Sequence, residues 1–300
     1  MRLVTFRQKD RLQHRIGALA PDGTVLDLAV ADPAVSWSSM PAVIAGGEAM
    51  LKRARAAAER APVMEGAVLC APIPRPAKNI FCVGKNYHEH AREFAGSGFD
   101  ATAKEVVPEA PVVFSKPPTS VSGPGDSIPS FLDPTHSVDY EGELAVVIGK
   151  PGRGIRKAEA LAHVFGYTIV NDVTARDVQM RHQQWDLGKS FDTFCPMGPW
   201  LVTADELDGQ ATRVRCWVNG ELRQDARTTD LIFDIPTLIE TCSRGITLLP
   251  GDVIATGTPS GVGMGMKPPV FLKTGDTVRI EVDGIGVLEN KFKQHEGDGA

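Results

Sequence analysis

The sequence predicts an α+β fold in which β-strands predominate, and three observations favour it. The 30 glycines and 22 prolines among 300 residues indicate a chain with many turns. Apolar, β-branched runs such as 144–148 and 165–170 have the length of buried strands. The C-terminal third repeats Gly-Asp turn signals at 251–252 and 275–276, between further segments with strand character.

Residues 1–70 are predicted to form a small β-rich N-terminal domain. Three segments with strand character precede a segment rich in Ala, Arg and Lys that predicts a helix: 3–6, 16–19, 25–28 and 50–60. Pro72, Pro74 and Pro76 form a stiff connector, so we place the boundary there and assign 71–300 to the main domain.

Charge, hydropathy and cysteine content exclude several classes of protein. The net charge of −5 indicates neither a nucleic-acid surface nor one for anionic membranes. The sequence contains neither an apolar run long enough to span a membrane nor a secretory signal. Five cysteines without a CxxC pair indicate a reduced protein, which we expect in the cytoplasm.

An acidic stretch leads into the apolar run 144–148. If Asp139, Glu141 and Glu143 belong to one strand, their side chains line the same face. Three carboxylates on one face repel one another unless a cation lies between them. Their oxygens suit Mg²⁺, Mn²⁺ or Ca²⁺, so we expect a metal site here; the alternative is an edge strand with charges facing water. Asp172, which follows the run 165–170, either supplies a further carboxylate or caps the next turn.

His90 and Glu93 form a candidate acid–base pair. Helical structure from about His88 would place them three residues apart on one face, with His88 facing elsewhere. A carboxylate that orients an imidazole suits a general base acting on water. The alternative is an ordinary surface helix with Glu near its N-terminus. The polar segment 96–108 is expected to be a flexible loop that can close over a site.

Further polar residues could bind an oxygen-rich substrate. Lys116, at the end of a strand, either anchors a carboxylate or is an exposed charge. Arg176 and Gln179 would share one helical face as fork donor and amide. Lys189, beside a dication and an arginine, would have a lowered pKa and could stabilise or protonate an enolate. Thr258 lies in a glycine-rich loop that lacks the P-loop lysine and could meet a substrate carboxylate.

Taken together, five motifs resemble the fumarylacetoacetate hydrolase family over about residues 78–291. In chain order they are VGKNYHEHARE, DYEGELAVVIG, GYTIVNDVTARD, GKSFDTF and ATGTPSGVG. The resemblance implies a mixed β-sandwich roll with a Mg²⁺ or Mn²⁺ site in a pocket, and a homodimer.

By motif position, the resemblance also implies roles for individual residues. The implied metal ligands are Glu141, Glu143 and Asp172, with Asp139 next to the site; the implied catalytic residues are His90, Glu93 and Lys189; the implied substrate residues are Arg176, Gln179 and Thr258. The founding enzymes have a further metal-binding aspartate, but residues 81–84 offer no acid here. This departure resembles the branch that acts on acylpyruvates.

We therefore expect a divalent-metal-dependent hydrolase that cleaves a carbon–carbon bond in an acylpyruvate such as fumarylpyruvate, in the breakdown of aromatic compounds. The reaction would pass through a pyruvate enolate held by the metal. Decarboxylation of an oxaloacetate-type acid and isomerisation of a 2-hydroxymuconate-type diacid use the same site and remain alternatives. An inactive metal-binding relative is an alternative of another class. The sequence does not determine which oxo-acid is used.

Overall fold

Two β-sheets organise the chain in the computed structural model, which describes residues 1–99 and 106–293. The strands, in chain order, are β1 Arg2–Gln8, β2 Arg15–Leu19, β3 Val25–Asp27, β4 Ala67–Cys70, β5 Ile80–Gly84, β6 Val112–Lys116, β7 Val121–Ser122, β8 Ser127–Pro129, β9 Val138–Asp139, β10 Gly142–Ile148, β11 Val164–Asn171, β12 Thr174–Ala175, β13 Cys195–Thr203, β14 Arg213–Val218, β15 Glu221–Arg227, β16 Val253–Ala255, β17 Thr277–Val282 and β18 Gly286–Lys293. The α-helices are α1 Leu28–Ala31, α2 Met40–Ala45, α3 Gly47–Ala58, α4 His88–Ala95, α5 Arg176–Arg181, α6 Asp186–Lys189 and α7 Ile235–Ser243. The prediction of a sheet-rich α+β fold is confirmed.

The larger sheet has β10 near its centre. Its order is β3-β2-β1-β13-β11-β10-β16-β5-β6, with β4 beside β1 and β7 beside β13. Every residue of β10 is buried, as its apolar, β-branched sequence predicts. Leu144 and Val146 belong to the core on one face, whereas Ala145 and Val147 belong to the core on the other. The sheet is therefore covered on both sides.

The smaller sheet covers one of these faces. Its order is β15-β14-β17-β18-β8. Val214 and Ile280 of this sheet share a core with Leu144 of β10 and Ile169 of β11. Helix α7 joins the same core, and the residue before it, Asp234, caps its N-terminus by accepting a hydrogen bond from the Thr237 N–H.

Residues 1–70 extend the larger sheet. Strand β1 pairs antiparallel with β13 and brings Leu3 opposite Leu201. The predicted strands and helix of this region correspond to β1, β2, β3 and α3. Leu3 and Ile16 share a core with Ile80 of the main sheet. The division into two domains near residue 70 stays a prediction.

The strand directions bring four chain segments to one edge of the larger sheet. Strand β10 is antiparallel to β11 and β16, and β16 is parallel to β5. The start of β10 therefore lies at the same edge as the ends of β5, β11 and β16. Four pieces of the chain adjoin these strand ends: Glu141 precedes β10, Asp172 follows β11, residues 85–90 follow β5, and residues 256–263 follow β16.

The acidic stretch differs from its prediction at Asp139. The chain leaves strand geometry at Tyr140 and Glu141, between β9 and β10, so the alternation does not run from 139 to 143. The expectation that three carboxylates share one face is therefore wrong for Asp139. Among the described residues, no helix is long and apolar enough to cross a bilayer.

Candidate metal centre and active site

Three buried carboxylates converge at this edge of the sheet. One oxygen from each of Glu141, Glu143 and Asp172 lies within 4.8 Å of the others. Glu141 precedes β10, Glu143 lies on it, and Asp172 follows β11. The β10–β11 register, which sets Gly142 opposite Asn171, brings them together. Their position fits the predicted ligand set, and their role as metal ligands stays a prediction.

The negative charges of these three carboxylates repel one another. Burial raises the pKa of Glu143 well above its usual value, and the negative charges of Asp172 and Glu141 raise it further. Burial also tends to raise the pKa of Glu141, but Lys189 and Arg176 lower it to about 2. A site with this much buried negative charge suits a cation. The donor set is three carboxylate oxygens, which fits Mg²⁺ or Mn²⁺.

Two lysines hold Asp172 from opposite sides. Lys189 Nζ donates to Asp172 Oδ2 and to Glu141 Oε2, both at 2.8 Å. Lys116 Nζ lies 2.7 Å from Asp172 Oδ1 as an ion pair without hydrogen-bond geometry. Lys116 also donates to the backbone oxygens of Val173, at 3.0 Å, and of Lys189.

The structure excludes the exposed charge that was one alternative for Lys116, and the expectation for Lys189 stays a prediction. Lys116 is fully buried and is not among the residues that line the active-site cavity. Its predicted contact with substrate stays a prediction, while its observed partners are Asp172 and two carbonyl groups. The lowered pKa of Lys189 was expected beside a bound dication, and that expectation stays a prediction. Among the protein groups alone, burial lowers the Lys189 pKa, but Asp172 and Glu141 outweigh burial and raise it.

Helices α5 and α6 carry the cationic side of the site. Arg176 and Gln179 are both buried and share one face of α5, as predicted, with Arg176 Nη1 3.3 Å from Gln179 Oε1. Arg176 Nη2 lies 2.6 Å from Glu141 Oε1. A Cβ at Gly188 would lie 2.6 Å from the Gln179 backbone nitrogen. Glycine at 188 therefore lets α6 pack closely on α5 and brings Lys189 to the carboxylates.

Helix α4 brings the predicted acid–base pair to the same cavity. His90 Nδ1 lies 3.1 Å from Glu93 Oε2, and His90 is buried, whereas His88 is exposed. The geometry predicted from the i, i+3 spacing is confirmed. With Nδ1 facing the carboxylate, Nε2 is the nitrogen left for proton transfer. The other Glu93 oxygen accepts the Gly261 N–H at 2.9 Å. The predicted loop 96–108 lies partly outside the described residues.

The glycine-rich loop after β16 supplies the remaining wall. Thr258 lines the cavity, but its hydroxyl already donates to the Gly142 carbonyl at 3.1 Å and accepts from Gln224 at 2.7 Å. The Gly257 N–H donates to Glu143 Oε2 at 2.8 Å. A Cβ at Gly257, whose φ is +106°, would lie 2.7 Å from Asn86. Glycine is therefore required to bring this N–H to Glu143.

The cavity is narrow, with an empty volume of about 270 Å³. The residues that line it are Val83, Gly84, Lys85, His90, Phe94, Phe114, Glu141, Glu143, Arg176, Gln179, Trp185, Lys189 and Thr258. Trp185 meets Phe94 and Phe114 edge-to-face, with ring centroids 5.6 and 5.3 Å apart. These aromatic rings form an apolar wall beside the charged groups. A larger surface pocket of about 1250 Å³ shares none of these lining residues.

Sequence reasoning missed several contributors to the site. The aromatic wall of Phe94, Phe114 and Trp185 comes from three separate elements, so no local pattern indicates it. The side-chain oxygen of Asn171 accepts the Glu141 N–H at 3.0 Å, which fixes the backbone at the carboxylate cluster. Asn171 precedes Asp172 in the motif quoted above, and that position was the one signal available for it.

The residues of the site and the fold that carries them already indicate a class of enzyme. Clustered carboxylates beside a histidine, a lysine and an arginine, in a narrow cavity at one end of a β-sheet, are typical of metal-dependent enzymes that act on anionic substrates. The family model "Fumarylacetoacetate (FAA) hydrolase C-terminal" matches residues 79–293. The chain belongs to the fumarylacetoacetate hydrolase family, a family of enzymes, as its motifs indicated.

Two curated relatives and one solved structure illustrate the similarity. Oxaloacetate tautomerase YisK of Bacillus subtilis is 56% identical over 225 residues, which are 75% of this chain and 72% of that protein. Human mitochondrial oxaloacetate tautomerase FAHD2A is 44% identical over 299 residues, which are 97% of this chain and 91% of that protein. The structure of maleylpyruvate hydrolase from Sphingobium sp. SYK-6, solved with manganese(II) and pyruvate, is 33% identical in sequence and has a TM-score of 0.78. The match covers 99% of this chain and 100% of that one.

Proposed function

We propose that this protein catalyses the interconversion of the enol and keto forms of oxaloacetate or a similar 2-oxo dicarboxylic acid. The observation that carries the proposal is the His90–Glu93 pair, which lines the same cavity as Lys189, Arg176 and the carboxylate cluster. The reaction needs one proton to move between the oxygen on carbon 2 and carbon 3. The names of the Bacillus and human relatives support this choice of reaction and substrate.

The residues of the chain suit each part of this proton transfer. A divalent cation held by Glu141, Glu143 and Asp172 would supply positive charge for the enolate oxygens. His90, with Nδ1 held by Glu93, would take up or release the proton through Nε2. The Lys189 ammonium and the Arg176 guanidinium would share the negative charge that the enolate spreads over its oxygens. Because the aromatic wall beside them is apolar, these charges act strongly.

Hydrolysis of an acylpyruvate, the reaction expected first from the sequence, is the second candidate. The same His90–Glu93 pair could activate a water molecule, which would attack the distal carbonyl. The similarity to a maleylpyruvate hydrolase supports this alternative. Decarboxylation forms an enolate as carbon dioxide leaves, and double-bond isomerisation passes through one, so the reaction products must decide among the four.

The test follows the ultraviolet absorption of enol-oxaloacetate with Mg²⁺ or Mn²⁺, against the uncatalysed rate. Parallel reactions use acetylpyruvate, fumarylpyruvate and a hydroxymuconate-type diacid, and all products are identified. Tautomerisation predicts faster loss of the enol signal, with no carbon dioxide and no pyruvate released. Pyruvate with a second carboxylic acid would replace this proposal by the hydrolase, and carbon dioxide by the decarboxylase. His88→Ala serves as the control for His90→Ala, since His88 is exposed on the same helix.

A homodimer is the assembly that we propose for this enzyme. Val113, Met180 and Leu187 are exposed apolar residues on β6, α5 and α6, the elements that carry Lys116, Arg176 and Lys189. Covering them would stabilise the site-bearing elements. Light scattering should give twice the chain mass of 32.2 kDa, and Leu187→Lys should shift the protein toward the monomer. A wild-type protein of single-chain mass would rule this assembly out.

A further inference from the structure

Asp139 is a buried acidic residue in contact with Arg176, and the proposed chemistry gives it no role. Its side chain is fully buried, and its carboxylate accepts four hydrogen bonds. Oδ1 accepts from the backbone nitrogens of Tyr140 at 2.9 Å and Gly263 at 2.7 Å. Oδ2 accepts from the Met264 nitrogen and from Arg176 Nε, both at 3.0 Å. A carboxylate has about four acceptor sites, so Asp139 has none left for a metal ion or substrate.

On one side, Asp139 sets the orientation of Arg176. The guanidinium is planar, so the Nε–H bond to Asp139 fixes where its two terminal nitrogens lie. One of them meets Glu141 at 2.6 Å and the other meets Gln179 at 3.3 Å. Arg176 lines the cavity, whereas Asp139 is not among the lining residues. Asp139 therefore acts on the cavity through Arg176.

On the other side, Asp139 holds the loop on which helix α4 docks. This loop, residues 261–265, gives two N–H groups to Asp139 and the Gly261 N–H to Glu93. A Cβ at Gly263 would lie 2.8 Å from Asp139 Oδ1, and a Cβ at Gly265 would lie 2.2 Å from Glu93 Oε1. The backbone of the loop is thus packed directly between the two carboxylates. Glu93 in turn holds His90.

We propose that Asp139 is a positioning residue that couples the substrate-facing Arg176 to the docking of helix α4. Arg176 donates to Asp139 within a buried ion pair, the loop 261–265 donates two N–H groups to Asp139, and the same loop donates the Gly261 N–H to Glu93. The anion-binding group and the base are then oriented by one shared carboxylate. The kinetic part of this inference rests on the proposed function, whereas the coupling itself does not depend on it.

Hydrogen–deuterium exchange of Asp139→Asn tests the coupling. In either orientation the new amide turns its NH₂ group toward two of the four N–H donors, so two of the four hydrogen bonds to residue 139 are lost. Exchange should become at least about tenfold faster in peptides covering both 261–265 and 88–95, since buried N–H groups lose charged acceptors. The matched control is Asp252→Asn. Asp252 is also buried and, like Asp139, accepts hydrogen bonds from a basic side chain and a backbone N–H, here those of Lys78 and Leu249.

A second variant approaches the coupling from its other end. This variant is Glu93→Gln; Glu93 belongs to helix α4 at the side of the cavity, and its side chain is 15% exposed. It should speed exchange in 261–265 and, through Asp139, in the Arg176 helix 176–181. Unchanged exchange in 88–95 for Asp139→Asn, or in 176–181 for Glu93→Gln, would overturn the coupling. If Asp139→Asn does not fold, Glu93→Gln alone decides.

Kinetics separate positioning from a merely structural role. With oxaloacetate, Asp139→Asn should raise KM because Arg176 is misaligned, and lower kcat because His90 is misplaced, each by about tenfold. A structural role would only reduce the amount of active enzyme, so kcat would fall with KM unchanged. If the wild type does not turn over oxaloacetate, the proposed function fails. The exchange experiments would still decide the coupling.

Discussion

Replacing Lys116 by methionine separates the role expected from the sequence from the one observed in the structure. Methionine keeps most of the volume but removes the ammonium from Asp172 and from two backbone carbonyls. Removing one partner of a buried ion pair typically costs about 3–5 kcal/mol, because the other charge stays buried. Lys189 still pairs with Asp172, so we expect about 3 kcal/mol, or a melting temperature lower by about 6 °C.

The assay is thermal and urea unfolding of the metal-free protein, followed by KM and kcat with Mg²⁺ or Mn²⁺. The control is Lys157→Met, since the Lys157–Asp234 pair is half exposed and should contribute less than about 1 kcal/mol. A role in holding Asp172 predicts lost stability and weakened Mn²⁺ binding. A raised KM at unchanged stability and metal affinity would refute this reasoning and restore the direct contact with substrate.

Three further predictions follow from the same geometry. His90→Ala should lower the rate by about 10²–10⁴-fold and leave the Kd for Mn²⁺ nearly unchanged; normal turnover would remove His90 from the chemistry. Gly257→Ala should weaken Mn²⁺ binding and lower stability by more than about 1 kcal/mol, since its φ of +106° and contact with Asn86 exclude a Cβ; wild-type Mn²⁺ affinity would contradict this. Asp234→Ala should cost about 1 kcal/mol through the lost cap on α7. Burial tends to raise the Asp234 pKa, but the hydrogen bonds from Thr237 outweigh burial and lower it. The wild type should therefore be more stable than Asp234→Asn above about pH 3.8, and this difference should fade as the pH falls further. A difference that persists in acid would contradict this prediction.

Local patterns in the sequence predicted much of the scaffold and part of the site. The run 144–148 within β10 indicates a strand buried on both faces, because every residue of that run is apolar. The spacing of His90 and Glu93 predicts their contact, because residues three apart share a helical face. Arg176 and Gln179 follow the same rule. In each case the two groups lie within one element, so the backbone period determines their geometry.

Contacts between distant segments could not be obtained in this way. Asp139 was expected beside Glu141 and Glu143, but the chain leaves strand geometry at Tyr140, and a single irregular step turns a side chain to another face. Lys116 was expected either to anchor a carboxylate or to be an exposed charge; it is buried, and no local signal shows that Asp172 is its partner.

The sequence by itself determined the family, the sheet-rich class and the residue types that carry the chemistry, because these depend on composition, period and motif. The tertiary structure alone decided which of these residues meet. The β10–β11 register brings Asp172 to Glu141, and the loop after β16 returns to Asp139 from 124 residues away. Partners so far apart along the chain are set by strand register and packing, which no short stretch of sequence specifies.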